Sequence, residues 1–330
     1  MDKKIITGGV LLALLLLLAT YFFRDSLLET QTSLVKYYNG SNYQCVAYVE
    51  RYYQNMFGIT IKSVGAAMNL AKKAPKYGLY FHENGGVVVP QVGDILVFGN
   101  QNKIGHVAII TGVLKDGVLI VEQNWYKAKI TNNKGKALPA TYKDGHYTIL
   151  DRYYNEKQKK ESERFWIMGW VSRHKQNPGT FFDFTDDNDQ GWLPENDLKY
   201  YTKGDKNSWS WRVTGKDPRI LSPVFLDGLS AQNFNSISLR ARVKGGKNAQ
   251  EGVLYIRDRN DQWSKQISFP VNFSQEEYQE VNVDLKSLPK DLKITQIMLK
   301  LTGDGVRRGE IWNMDWLRIS DRSNGILEGI

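Results

Sequence analysis

Cysteine is nearly missing from this chain. Its 330 residues hold a single one, Cys45, so no intramolecular disulfide can form and no cysteine-rich zinc site is on offer. If the chain is exported, its stability has to come from packed cores alone. Also missing are a run of five basic residues, zinc-finger spacing and a basic amphipathic helix, which are the marks of a nucleic-acid reader. Nucleic acid is therefore not expected as a partner, and neither a metal nor an organic cofactor is expected. No internal repeat or low-complexity tract interrupts the sequence.

What is present is enough to fold. Charged residues make up 24% and aromatics 12%, a balance that favours packed cores over disorder, and the length has room for two ordinary domains. The net charge of +9 is unevenly spread: residues 24–175 carry 21 Lys and Arg against 12 Asp and Glu, whereas 176–330 carry 21 against 22. The excess sits on the first half and leans towards an acidic partner, such as anionic lipid or an anionic wall polymer.

Residues 5–23, IITGGVLLALLLLLATYFF, are uncharged and mostly apolar, long enough to cross a hydrocarbon core as a helix. A cleaved signal peptide is the rival reading, but Ala19 is preceded by Leu17 and followed by Thr20, Tyr21 and two Phe, so the small-residue cleavage pattern is absent. A retained N-terminal transmembrane helix over 1–24 is the expectation. Lys3 and Lys4 outweigh Arg24, which keeps the N-terminus inside and puts 24–330 on the outer side of a bacterial cell membrane.

Residues 25–40 read as a juxtamembrane spacer. From 42 to 57 Val46, Val49, Tyr53 and Met56 recur at helical spacing and Gly58 offers a stop. A second helix is expected over 64–73, then strands at 94–98, 106–113 and 118–125, the last two a hairpin turning near Asp116, and another at 165–173. A boundary falls at 174–179. Beyond it, short alternating segments every ten to fifteen residues signal an antiparallel β-sandwich, expected to fold on its own. Six of the nine Trp lie there; most are expected in its core, while an exposed one could stack on a sugar. Asp183 and Asp315 could meet at its edge as cation ligands.

Cys45 can be read as a small buried hydrophobe or as a nucleophile. Ser41 with Gln44 fits a capping box and Asn42 is an equally good N-cap. Either choice puts the thiol in the first helical turn, where unpaired N–H groups and the helix dipole favour a thiolate and can hold an oxyanion. Of four histidines, His106 opens the strand HVAIITGV, a rigid place for a general base. If hairpin partners sum to about 232, His106 lies diagonal to Asn124, with Glu122 roughly 7 Å further along. Asn124 is then the orienting group; a two-residue shift at the turn would bring Glu122 closer. The rival reading of the pair is the polar face of a half-exposed strand.

These residues resemble a known family. YQCVAYVERYY, VGDILVF, GHVAIITGV, IVEQNW and the late IMGW look like the CHAP domain, a cysteine, histidine-dependent amidohydrolase/peptidase of papain-like fold, and most resemble the amidase domain of glutathionylspermidine synthetase/amidase. The resemblance implies an α+β papain-like domain over 41–175 with Cys45 as nucleophile, His106 as base, Glu122 with Asn124 as the polar third element, and Gln44 and Trp125 at the oxyanion and substrate. Residues 179–330 more loosely resemble the jelly-roll sandwiches used as carbohydrate-binding modules, which implies a glycan ligand. The expected function is hydrolysis of amide bonds in peptidoglycan peptides. The alternatives are an amidase for a small glutathionylspermidine-like conjugate and a non-catalytic wall- or glycan-binding scaffold.

Overall fold

The computed structural model describes residues 44–124, 136–150, 164–177, 179–184, 189–201, 207–244, 250–259, 263–271, 277–302 and 306–321. The apolar run at 5–23, the spacer, Ser41, Asn42 and Trp125 lie outside them. The expected fold class needs correction. Among the described residues strand accounts for 51% and helix for 11%, so the α+β balance gives way to a strand-dominated chain. No helix among these residues is long and apolar enough to cross a membrane.

Helix α1 (Cys45–Phe57) follows from its apolar spacing. Tyr48, Val49, Tyr52, Tyr53, Met56 and Phe57 are buried on one side, and side chains of this size contribute roughly 1.5–3 kcal/mol each on burial. Gly58 ends it in the left-handed conformation at φ 68°, its N–H donating to the Tyr53 carbonyl, a position glycine takes without a Cβ penalty. The second expected helix is corrected to three short pieces: a 3₁₀ turn at Ala67–Asn69, α2 (Leu70–Lys73) and another 3₁₀ turn at Ala74–Tyr77. Gly65 and Gly78, both at positive φ, bracket the stretch, and Pro75 lacks the N–H that a continuing helix would use.

Seven strands follow: β1 (Tyr80–Glu83), β2 (Ile95–Asn100), β3 (His106–Leu114), β4 (Gly117–Glu122), β5 (Lys136–Lys143), β6 (His146–Ile149) and β7 (Phe165–Ser172). They form one sheet in the order β1-β7-β2-β3-β4-β5-β6. β3 is buried along its whole length, because both faces of the sheet are covered. Val107 and Ile109 join the core that includes the α1 side chains, whereas Ala108 and Ile110 pack with Phe98, Ile120, Leu138 and Trp170 on the other face.

The second half is a sandwich of two antiparallel sheets. One contains Leu198–Tyr200, Trp209–Val213, Ile311–Asp321, Phe234–Lys244 and Gln279–Asp284 in that order, with Phe181–Asp183 alongside Ile311–Asp321. The other runs Trp263–Val271, Gln250–Arg257, Gln296–Thr302, Arg219–Leu221 and Leu193–Asn196. Leu239 and Leu317 from one sheet meet Leu254 and Leu299 from the other in a single core, which takes in Trp192, Trp209, Trp211 and Trp312. Four of the six tryptophans of this half are thus core residues. Asp183 pairs in register with Trp316, next to Asp315, whose pKa is raised by burial first and, to a smaller degree, by the Asp183 charge, so the two acids are neighbours. Asp315, however, is ion-paired with Arg240 at 2.7 Å, and no group of three or more potential metal ligands occurs among the described residues.

The halves share cores. Leu193, Leu221 and Met298 of the sandwich join the α1 core, and Val224 and Leu226 join the one on the opposite sheet face. Buried Gln91 bonds the Val224 backbone both ways, its Oε1 accepting from Val224 N at 2.6 Å and its Nε2 donating to Val224 O at 3.5 Å. Arg173 stacks on Phe57 at 3.8 Å and is ion-paired with Asp189.

Candidate active site

Gln44 is the N-cap of α1, extended at φ −78° and ψ 143°, so Cys45 is the first helical residue. The helix therefore starts later than a cap at Ser41 or Asn42 would put it. Cys45 is half-buried and its sulfur bonds the imidazole of His106. Burial pushes the thiol pKa up; the hydrogen bond and charge of His106, with the N–H groups of Val107 and Val46, outweigh it and hold the thiol below its ordinary 9.0.

His106 is 4% exposed and Glu122 1%, which removes the reading of a solvated strand face. Imidazole Nε2 meets Glu122 Oε2 at 3.0 Å, leaving Nδ1 for the thiol, and the Phe98 ring packs 5.7 Å from the imidazole centroid. Burial disfavours the imidazolium, but the bonds and charges of Cys45 and Glu122 prevail and raise the His106 pKa to about 9. Opposite shifts on two bonded partners favour a thiolate–imidazolium pair over the neutral one. Lys136, half-exposed on β5, also feels the Glu122 charge.

The expected order of Asn124 and Glu122 is reversed. The turn is only Lys115–Asp116, with Leu114 opposite Gly117, and the register slips again between Ile110 and Gly112. Ala108 consequently faces Glu122, and Glu122 becomes the diagonal neighbour of His106. Asn124 leaves the ladder at φ 62° and its Nδ2 donates to Gln44 Oε1 at 3.0 Å. It orients Gln44 rather than the imidazole.

Other groups hold this arrangement that the sequence reading missed. Asn100 Oδ1 accepts from Ile104 N at 3.0 Å and Gly105 N at 3.1 Å, pinning the loop into β3. Gly105 has φ +67°, and a Cβ there would run into the Phe98 carbonyl and Met68; the only signal in the sequence was a glycine before the histidine. Arg51 on α1 donates to buried Gln123 at 3.2 Å, tying the helix to the end of β4.

The line Glu122–His106–Cys45, at the ends of one helix and two strands, is an arrangement able to activate a thiol. Residues 36–124 match the CHAP domain family. Among curated proteins, trypanothione synthetase from Crithidia fasciculata is 28% identical over 122 residues, which are 34% of this chain and 19% of that protein; the chain thus spans about a fifth of the relative's length. Among solved structures, a family 28 carbohydrate-binding module specific for non-crystalline cellulose is similar with TM-score 0.35 and 16% identity, over 44% of this chain and 96% of that one. A family 29 module from Piromyces equi gives 0.30 and 12%, over 47% and 91%. Both likenesses are loose.

Proposed function

We propose that this chain hydrolyses amide bonds in peptidoglycan peptides with Cys45 as nucleophile. The Cys45 thiolate attacks the carbonyl carbon. Its oxyanion is met by the Cys45 N–H, which lacks an intrahelical partner in the first turn, and by the Gln44 side-chain amide, whose carbonyl end Asn124 holds. His106 passes its proton to the leaving amine, the C–N bond breaks, and a thioester remains. Water, deprotonated by His106, attacks the thioester and frees the acid and the thiol. Glu122 keeps the imidazole turned and stabilises its cation.

The observation that carries this reading is the buried Glu122–His106 contact on the imidazole that bonds the thiol. A scaffold protein would have no need for it. The basic first half supports an anionic wall substrate, and the sandwich supports a glycan-bearing one. A second reading, amidase action on a small glutathionylspermidine-like conjugate, draws on the relative named a trypanothione synthetase. Incubating the full chain with purified peptidoglycan and with amide conjugates, and identifying the products by mass, separates the two. Release of wall peptides by the native chain and not by Cys45→Ala is the expected result; cleavage of the conjugates alone would replace it with the second reading.

A further inference from the structure

We infer that the cleft between the two halves, at the far end of β3 from His106, binds a small phosphate monoester. The β3–β4 turn and the sandwich enclose a cavity of about 380 Å³ there, a size typical of small-ligand sites. β3 runs from His106 to Leu114, about 25 Å at the usual rise per residue. The cavity is thus a site apart from the thiol, and the inference stands whether or not Cys45 is a nucleophile.

The charge of the lining is one-sided. Lys115 from the turn and Arg257 and Arg259 from the sandwich line the cavity against a single lining carboxylate, Asp116. Asp227 stands at the rim, 3.7 Å from the Lys115 Nζ, but its side chain is 78% exposed and water screens it; it also accepts from the Tyr142 hydroxyl at 2.9 Å. The two guanidinium groups are held in place. Arg257 is 6% exposed, at a bulge in its strand where the register shifts after Ile256, a device that re-aims a side chain. Its Nη1 donates to Gln296 Oε1 at 3.1 Å, and Gln296 Nε2 donates in turn to the Ser222 carbonyl at 2.9 Å. Arg259 Nη2 donates to the Asp227 carbonyl at 2.8 Å. Groups fixed in advance lose little freedom when a ligand arrives.

Planar guanidinium groups present paired N–H donors that match phosphate oxygens. Three lining cations against one carboxylate leave a surplus that suits a dianion better than a monoanionic carboxylate. The rest of the wall is apolar, with Val113 and Leu114 on one side and Val224 and Leu226 on the other. Phosphate alone would leave that part unfilled, so an ester with a short organic group fits better. Thr295 already donates its hydroxyl to the Asp258 carbonyl at 2.9 Å, which leaves its lone pairs to accept from a hydroxyl of that group.

The test is calorimetric titration of the full chain at about pH 8, where a monoester is dianionic. The probes are glycerol 3-phosphate, inorganic phosphate, glycerol and acetate at matched ionic strength. Glycerol 3-phosphate is expected to bind more tightly than inorganic phosphate, with no measurable binding of glycerol or acetate. Arg259→Gln, at an exposed position, should raise the Kd of glycerol 3-phosphate about tenfold or more. Asp116→Asn should lower it, because a like charge leaves the cavity. A ligand that touches both halves should also raise the thermal midpoint of the native chain, and raise it less in Arg259→Gln. No binding of either phosphate, acetate binding as tightly as the ester, inorganic phosphate binding as tightly as the ester, or a Kd unchanged in folded Arg259→Gln would overturn the proposal.

Discussion

At the residue scale, the division of labour between Glu122 and Asn124 is what the structure adds. Glu122 contacts the imidazole and Asn124 contacts Gln44, so turnover of wall peptides should fall about 100-fold or more in Glu122→Gln and about tenfold or less in Asn124→Ala. Steady-state kinetics of the two variants checks the order; a larger loss in Asn124→Ala would mean that the amide orients the base after all. The titration has a sign. The His106 pKa is raised from 6.5 to about 9 in the fold, so the imidazolium adds stability that is complete below about 6.5 and is lost as pH rises through about 9. Turnover should fall over the same upper limb, because a neutral imidazole has no proton for the leaving amine. Denaturation midpoints and kcat/KM against pH check this, and both should lose the feature in His106→Ala.

At the element scale, the hairpin shows what was legible. HVAIITGV and GVLIVE read as strands because both are apolar runs closed by turn residues. Their register did not, because β3 and β4 are buried on both faces, which leaves no alternation to mark the slip near Thr111. Helix α1 was legible from its period, but its start depends on backbone conformation at Gln44, which no side-chain pattern records. One glycine joins these elements. Gly93 has φ +93°, and a Cβ would come within 3.3 Å of the Phe57 ring, 3.4 Å of the Tyr52 hydroxyl and 3.5 Å of Leu193. Gly93→Ala should cost about 1–3 kcal/mol, read as a lower thermal midpoint. An unchanged midpoint would mean that α1, the turn and the sandwich have slack where they meet.

At the scale of the whole molecule, the two halves were legible as separate textures and their union was not. Leu193, Leu221, Met298, Val224 and Leu226 look in the sequence like any other core positions; the fold places them against the other half. The sequence-based expectation that 179–330 folds alone therefore meets a cost, since cutting the chain exposes these side chains and unpairs buried Gln91. The full chain should unfold in one cooperative transition. Gln91→Ala, which leaves the Val224 N–H and C=O without partners, should lower its stability by about 1–3 kcal/mol. Two separable transitions in calorimetry would show instead that the halves are independent. The central claim concerns the Cys45 thiol. Its most direct test is the mass of the intact chain, acid-quenched during incubation with peptidoglycan peptides. The account predicts a thioester-linked acyl group on Cys45, absent in Cys45→Ala, which should release no product. Continued cleavage by folded Cys45→Ala would contradict it.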